Sequence, residues 1–508
     1  MKKLYYLSAV LLLVLVGCSE KYIDSDLENI VTDETIAKLA EESPEALLQI
    51  ANSFDTGTVN NLRTYAVAGD GGHMDYGQKS IDVMMDIMSN DMIDSNNGWW
   101  YDEYYKYNAR IQDVRWTSVI WDYYYTIIKN TNQTISLIGG IDPSKLNDPL
   151  KQVLARSKVI RGFSYYQLIQ IYQKGQPSMS DAGVPIVDPT ADLINGPGFG
   201  RLTVQEVYDQ IEKDLTEGYA GIQGYARADK TAVNNHVAAG FLARFYLLSG
   251  DNDNAIKYAR IAQAGGTLSG ASMTDGFQHI SNPEWIFGAA INGDTTSYYA
   301  SFFSQIQSYS PSFYAGNGYS PGYPGQLGHH RTADKRLYDA ISATDIRKNW
   351  FGPDNGAIRS PLPGQIYNYK FYDDTFFEAD YVFMRVAEMY LIEAEASANK
   401  GDDGTAASAL YKLISTRDSG YSLSTNTGSA LLDEIKLHRR IELWGEGFGL
   451  LDMKRWNVGL TRVYTGSTHP NIPSAYYDIP AGDFRFTFQL PLDEINLNDA
   501  ITEADQNL

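Results

Sequence analysis

Cysteine is almost absent from this chain: among 508 residues only Cys18 is present. A single thiol has no partner within the chain, so a framework of internal disulfides is excluded. Long apolar runs are also scarce. The one sustained run, residues 4–16, is shorter than the about 20 residues that a membrane-spanning helix needs. We therefore predict a protein that is neither held together by disulfides nor inserted through a membrane.

The chain also has fewer basic than acidic residues. The chain has 41 Lys and Arg against 62 Asp and Glu, which gives a formal net charge of −21. Such a chain repels phosphate backbones, so nucleic acid is excluded as a partner. Apolar residues make up 44%, enough for a large folded core. Because no Pro/Gly/Ser linker divides the chain, we predict a single folded unit over residues 30–508.

Sequence motifs of common enzymes are missing too. There is no HExxH, no Walker loop and no Gly-x-Ser-x-Gly elbow. Adjacent His329 and His330 could bind a metal, but on a Tyr-rich loop we interpret them as incidental and predict neither metal nor other cofactor. Carboxylates are abundant, yet nothing singles out a pair suited to glycoside hydrolysis. The sequence therefore predicts a protein that is not an enzyme.

The N-terminus has the order of an export signal. Lys2 and Lys3 precede the apolar run, and Leu15-Val16-Gly17-Cys18 closes it. We predict a signal peptide over residues 1–17 and a tether over residues 18–29. The closing residues resemble the bacterial lipobox, which implies a lipid on Cys18 that anchors the protein to a membrane. Removing Lys2 and Lys3 takes the net charge from −21 to −23. A chance cysteine after an ordinary signal is the alternative.

Apolar residues recur at helical spacing along much of the remaining chain. Helix starts are predicted at Ser43, where Pro44 follows the capping serine, and at Thr203, which opens a Thr-x-x-Glu capping box. Further helices are predicted over residues 81–93, 114–138 and 151–173.

Two segments share one spacing of small residues, at intervals of 7, 5 and 7. They are Ala243, Gly250, Ala255 and Ala262 in the first, and Ala394, Gly401, Ala406 and Leu413 in the second. Small residues let two antiparallel helices approach closely, and the glycine lets the first helix end in a left-handed turn. This pattern is typical of a tetratricopeptide-like helical hairpin.

The stretch between the hairpins, about residues 264–380, has a different character. Residues 292–331 are rich in Gly, Ser, Pro and Tyr and show no sustained helical period. Long loops inside a compact protein are usually functional or disordered, and the many aromatics argue against disorder. The predicted fold is mainly α: a tetratricopeptide-like helical-hairpin scaffold with an irregular, loop-rich ligand-binding insertion.

The C-terminal region resembles a known family. Residues 439–448 read Arg-Arg-Ile-Glu-Leu-Trp-Gly-Glu-Gly-Phe, and residues 451–456 read Leu-Asp-Met-Lys-Arg-Trp. This order is similar to the signature of the SusD/RagB family. Residues 385–396, the Arg161–Tyr166 segment followed by residues 183–185, and residues 490–498 resemble further segments of the same family.

The resemblance implies four tetratricopeptide-like units that support an irregular ligand-binding half, and it implies no catalysis. It also implies a place on the outer face of the outer membrane, where the protein acts as a hinged lid on a SusC-like, TonB-dependent transporter. The charged residues of these segments are interpreted as a structural ion-pair network rather than as catalytic groups. They are Arg439, Arg440, Glu442 and Glu446; Asp345 and Arg347, outside these segments, are likewise interpreted as scaffold.

Aromatic residues are plentiful, with 37 tyrosines and 8 tryptophans. Flat rings supply contact area for the C–H faces of sugars, and amides or carboxylates bind the hydroxyls. The candidate ligand-binding residues are Asn96, Asn97, Trp99 and Trp100, then Tyr299 and Tyr319 among the insertion tyrosines 298, 299, 309, 314, 319 and 323, and Trp350. Alternatively, Trp99 and Trp100 both close the helical core near Tyr104 and Tyr105. Trp285, Trp444 and Trp456 are interpreted as structural.

Three functions remain open at this stage. The first is capture of an oligosaccharide or polysaccharide for import. The second is capture of a peptide in the same transport role, which depends on backbone pairing rather than on stacking rings. The third is a structural adaptor that binds a protein through its helical repeats and needs neither Trp99 nor Trp100.

Overall fold

The structure, a computed structural model, describes Lys38 and residues 42–69, 72–191, 196–309 and 322–508. The signal peptide, Cys18 and Tyr319 lie outside the described residues. Helices dominate the described part, which confirms the predicted fold class.

The first eight helices lie between residues 44 and 263. They are α1 (Pro44–Asn60), α2 (Gln78–Ile87), α3 (Asp102–Tyr105), α4 (Arg115–Gly139), α5 (Asp148–Tyr172), α6 (Val204–Gly221), α7 (Asn235–Ser249) and α8 (Asn252–Gln263). Three short helices follow between residues 264 and 380: α9 (Phe302–Ile306), α10 (Tyr323–Gln326) and α11 (Lys335–Ala340). The C-terminal helices are α12 (Val386–Asn399), α13 (Asp403–Ile414), α14 (Gly428–Glu442), α15 (Gly449–Arg455) and α16 (Leu492–Leu497).

Local sequence signals fix several of these helix ends. Thr203 and Glu206 form the predicted capping box at the start of α6. Ser43 is the N-cap of α1, with Pro44 in the first turn, although its side chain makes no capping hydrogen bond. The predicted helix over residues 81–93 was wrong at its end. The helix stops at Ile87, and the apolar Met92 and Ile93 belong to a strand instead.

Both predicted hairpins are present. Gly250, with a φ of 82°, separates α7 from α8, and Gly401, with a φ of 77°, lies between α12 and α13. Helix α8 packs against α12, and the Arg260 Nε donates to the Glu393 Oε1 at 2.7 Å across that contact. The small residues of the spacing therefore lie where helices pack, and the glycines lie where the chain turns.

Replacing Gly401 by alanine should lower the free energy of unfolding by about 1–2 kcal/mol, because an L-residue is strained at this positive φ. A Cβ at Gly401 meets no atom within 4 Å, so the cost is one of backbone conformation alone. Gly404, in the first turn of α13, provides the matched control. Gly404→Ala should be neutral or slightly stabilising, and denaturant midpoints of both variants check this. Equal midpoints would contradict the assigned role of Gly401.

Short antiparallel strands connect distant parts of the chain. They are β1 (Met92–Asp94), β2 (Trp285–Ala289), β3 (Arg331–Ala333), β4 (Phe351–Gly352), β5 (Ile366–Asn368), β6 (Tyr381–Arg385), β7 (Leu460–Thr461) and β8 (Asp478–Ile479). One sheet has the order β1-β3-β5-β4, with Asp94 opposite Arg331. Strand β2 pairs with β6 and is fully buried, in agreement with the structural role predicted for Trp285. The sheet thus joins residues after α2 to the segment 322–333.

A buried ion-pair network connects the insertion to the C-terminal helices, as predicted. Glu442, with no exposed surface, accepts hydrogen bonds from Arg347 at 3.1 Å, Arg385 at 2.9 Å and Arg417 at 3.0 Å. Arg385 and Lys370 both reach Glu446 at 2.7 Å. With Glu284, which pairs with Arg417, and Asp345, which pairs with Arg347, four carboxylates balance these four cations inside the protein, so the signature segment serves the scaffold.

Candidate ligand-binding site

The two adjacent tryptophans lie on a loop that is fixed at both ends. We call residues 95–101, between β1 and α3, the Trp loop. Its first residue, Ser95, donates its N–H to the His330 carbonyl at 3.0 Å and accepts from the His330 N–H at 2.8 Å. Gly98 has a φ of 98°, which allows the chain to turn just before Trp99. The loop is therefore held against the segment that precedes β3.

Seven rings from several chain segments meet around the Trp loop, and we call them the aromatic cluster. Its members are His73, Trp99, Trp100, Trp116, Tyr299, Tyr323 and His329. His73, in the loop before α2, stacks on Trp100 with ring centroids 4.9 Å apart and an interplanar angle of 15°. Trp116, in the first turn of α4, meets the other side of the cluster at 5.8 Å from Trp100.

Tyr323 connects the tryptophans to the insertion. It lies in the first turn of α10, and its ring centroid is 5.2 Å from Trp99, 5.5 Å from His73 and 4.8 Å from Tyr299. His329 packs on Trp99 at 5.4 Å. The helical half and the insertion therefore contribute rings to one continuous surface.

The cluster remains open to solvent in part. Tyr299 is 42% exposed, and Trp99, Trp100 and Tyr323 are half-buried. The Asn96 and Asn97 amides are exposed on the turn just before Trp99. Flat apolar faces beside neutral hydrogen-bonding groups match the two kinds of surface that a sugar ring presents.

Polar atoms within the cluster are left without partners. Among the described residues, the Trp99 Nε1 and the Nδ1 atoms of His73 and His329 have no hydrogen-bond partner. Burial lowers the pKa of both histidines, so they are neutral at pH 7. Neutral imidazoles can donate or accept, and buried polar groups without partners are costly. These three buried nitrogens are therefore hydrogen-bonding groups that the described part of the chain does not satisfy.

The structure brings together most of the predicted ligand-binding residues. Trp99, Trp100 and Tyr299 are joined through Tyr323, and Asn96 and Asn97 lie beside them. Tyr104 and Tyr105 are fully buried whereas the two tryptophans are half-buried, so the tryptophans do not simply close the core.

Sequence reasoning did not find His73 or Trp116, and it treated His329 as incidental. Neither His73 nor Trp116 stands in a pattern that signals exposure. His73 contacts Trp100 across more than twenty intervening residues, and Trp116 contacts Trp100 from a separate element, helix α4. Proximity of Trp116 to Trp100 in the chain was the one available signal.

Trp350 requires a correction. Only 1% of its surface is exposed, and its Nε1 donates to the Met273 carbonyl at 2.6 Å. Phe277 packs on its edge at 5.6 Å, and the Lys370 ammonium lies over its ring at 4.8 Å. One ring face lies under the Lys370 ammonium, Phe277 contacts the ring and the indole N–H is bonded, so the buried Trp350 offers no surface to a ligand.

A separate groove of about 560 Å³ lies between α11, α14 and α15. Leu337, Leu437 and Trp456 are among the residues on its walls, and Arg336 and Arg440 are among its charged residues. No residue of the aromatic cluster lines it. The groove and the cluster are thus distinct places on the protein.

The described part of the chain contains neither a cluster of metal-ligating side chains nor a membrane-spanning helix. No group of three or more His, Cys, Asp or Glu side chains there could hold a metal ion. None of its helices combines the length and apolar character that crossing a bilayer requires.

Two family models match the chain. One, described as SusD-like, "Starch-binding associating with outer membrane", matches residues 56–247. The other, described as "SusD family", matches residues 362–507. No curated protein sequence matches the chain.

Solved structures share the fold at low sequence identity. A SusD-like carbohydrate binding protein from Bacteroides vulgatus is 23% identical with a TM-score of 0.78, over 91% of this chain and 98% of that one. A SusD superfamily protein from Bacteroides thetaiotaomicron is 22% identical with a TM-score of 0.73, over 91% and 99% of the chains. Surface glycan-binding protein A from Bacteroides fluxus is 16% identical with a TM-score of 0.66, over 90% and 98%.

Proposed function

This chain belongs to the SusD/RagB family, and from that premise we propose that it captures an oligosaccharide or polysaccharide at the cell surface for import. The observation that carries the proposal is the aromatic cluster. Trp99, Trp100, Tyr299 and Tyr323 offer ring faces within one partly exposed surface. Rings of this kind suit the C–H faces of pyranoses, and the neighbouring amides of Asn96 and Asn97 suit their hydroxyls.

The proposal includes the place of capture and the route of delivery. A lipid on Cys18 anchors the protein in the outer membrane with the folded unit facing the exterior. There it passes its glycan to a SusC-like, TonB-dependent transporter. We propose no catalytic role and no cofactor, because the buried charges of the family signature are already paired with one another.

Binding to a panel of polysaccharides tests the proposal. The protein lacking residues 1–18 is run in native gels that contain one polysaccharide each. We expect at least one glycan to retard the protein relative to a gel without polysaccharide, because a partly exposed ring surface binds a repeating chain at many positions.

The same preparation is then offered a library of short peptides, with binding followed by calorimetry. Retardation by a glycan together with no heat from the peptides supports glycan capture. Binding of peptides without retardation by any glycan would replace the proposal by peptide capture. If neither ligand binds, the adaptor function takes its place.

A further inference from the structure

Two buried carboxyl groups face each other at the base of the Trp loop. Asp94, at the end of β1, has no exposed surface, and Asp102, at the start of α3, is 3% exposed. Their side chains lie within hydrogen-bonding reach of each other. Asp94 accepts through Oδ1 from the Arg331 Nη1 at 2.5 Å, and Asp102 accepts through Oδ2 from the Gly98 N–H.

The remaining oxygen of each carboxyl has no donor. Within the described residues, neither the Asp94 Oδ2 nor the Asp102 Oδ1 has a hydrogen-bond partner. An ionised carboxylate only accepts hydrogen bonds, so two of them in contact repel each other. One proton placed between the two oxygens supplies the missing donor and turns the repulsion into a hydrogen bond.

Each carboxyl of the pair accepts a hydrogen bond from a backbone N–H of the Trp loop. The Asn96 N–H donates to the Asp94 carboxyl, and the Gly98 N–H donates to Asp102. We propose that Asp94 and Asp102 are positioning residues that share one proton and thereby hold Trp99 and Trp100 in the aromatic cluster. Loss of that proton loosens the loop and weakens ligand binding. The link to ligand affinity rests on the proposed function, whereas the shared proton does not.

The groups around the pair indicate that the proton is lost in mildly alkaline solution. Burial raises the pKa of Asp94 to about 8; Arg331 opposes the rise and Asp102 adds to it. The charged and titratable groups that face the pair are Arg331, His329, His330, Lys106, Glu103, Tyr101 and Tyr105. Burial lowers the pKa of His330 to about 4 and raises that of Tyr101 to about 12, so neither changes charge near pH 8.

The direction of the pH effect follows from the count of charges. Below about pH 8 Asp94 keeps its proton and can donate it to Asp102. Above that pH Asp94 is ionised, and the two carboxylates separate toward their own cations, Arg331 for Asp94 and Lys106, at 3.7 Å, for Asp102. Asp102 then withdraws from the Gly98 N–H, and Trp99 loses its fixed position against Tyr323.

Tryptophan near-ultraviolet circular dichroism of the ligand-free protein, followed from about pH 6.5 to 9.5, tests the shared proton. We expect a transition near pH 8 in the wild-type protein that is absent from W99F/W100F, since these two residues report on the loop. Asp102→Asn places an amide donor against the Asp94 Oδ2 and keeps an acceptor for the Gly98 N–H. This variant should show no transition.

Asp94→Asn places the amide on the other side but removes the counter-charge of the buried Arg331, so it serves only if Asp102→Asn does not fold. The matched control is Asp86→Asn. Asp86 is a buried carboxyl on α2 whose pKa burial raises to about 7, and it lies outside the Trp loop. Three results would each overturn the proposal. They are the absence of a transition in the wild-type protein, an unchanged transition in both amide variants, and loss of the transition in Asp86→Asn.

Affinity for the polysaccharide that retards the protein is then measured at pH 7 and pH 9. The wild-type dissociation constant should rise by about tenfold or more between the two, and that of Asp102→Asn by less than about twofold. If no glycan binds at either pH, the proposed function fails, but the dichroism of the free protein still decides whether the proton is shared. A transition with equal glycan affinity at both pH values would overturn the positioning role.

Discussion

The double variant Trp99→Ala/Trp100→Ala should abolish retardation by the glycan that the wild-type protein recognises. Trp100 stacks on His73 and Trp99 contacts Tyr323, so the two side chains make up the centre of the aromatic cluster. Removing a central aromatic anchor costs about 2 kcal/mol or more, which corresponds to an about 30-fold weaker affinity. Calorimetric titration of the variant with an oligosaccharide of the same glycan measures this loss.

A matched pair of exposed rings provides the control. Phe54 on α1 is 43% exposed and Tyr411 on α13 is 39% exposed, and neither belongs to the aromatic cluster. Phe54→Ala/Tyr411→Ala should retain the wild-type affinity. The conservative variant Trp99→Phe/Trp100→Phe keeps flat rings and should lose less than the alanine variant. Equal affinity of the alanine variant and the wild type, with both proteins folded, would remove the tryptophans from the site.

Removal of the Glu442 carboxylate should have the largest effect on stability. Three guanidinium groups, those of Arg347, Arg385 and Arg417, donate to this one buried carboxylate. These contacts hold the pKa of Glu442 well below its usual range. Breaking a buried charge network by removing one partner costs about 3–5 kcal/mol, because the charges that remain stay buried without compensation. Denaturant unfolding of Glu442→Ala should therefore show a much lower midpoint.

A surface pair gives the comparison for this prediction. Glu217 accepts from Lys158 at 2.6 Å, but both side chains are partly exposed. Glu217→Ala should cost less than about 1 kcal/mol. If the two variants unfolded at the same denaturant concentration, the network would contribute no more than a surface ion pair and its assigned role would be wrong.

The helical scaffold could be predicted because its signals are local. The small residues and the glycines at 250 and 401 repeat at one spacing, and the structure places them in helix contacts and left-handed turns. The capping box at Thr203 acts within four residues. Such features depend on neighbours in the chain, so a single sequence contains them.

Strand β1 could not be predicted for the opposite reason. It has three residues, too few for a period, and its apolar Met92 and Ile93 continue the helical spacing of α2. It forms a strand because β3, more than 200 residues further along, supplies the hydrogen-bonding partner. Pairing over such a distance leaves no mark in the local sequence.

In the candidate site, too, features with a local sequence signal could be predicted, and features that depend on distant parts of the chain could not. An adjacent tryptophan pair in a Gly/Asn turn signalled exposure, and both residues are half-buried in the cluster. Trp350 follows an Asp/Arg/Lys segment that looked equally polar, but Met273, Phe277 and Lys370 cover it from other parts of the chain. His73 belongs to the site only because of its stacking on Trp100.

A crystal structure of the protein with a bound oligosaccharide, taken from the polysaccharide that retards it most, tests the central claim most directly. The account predicts a pyranose ring within about 4 Å of the rings of Trp99, Trp100 or Tyr299, with hydroxyls near the Asn96 and Asn97 amides. A sugar bound in the groove lined by Leu437 and Trp456, with the aromatic cluster bare, would contradict it.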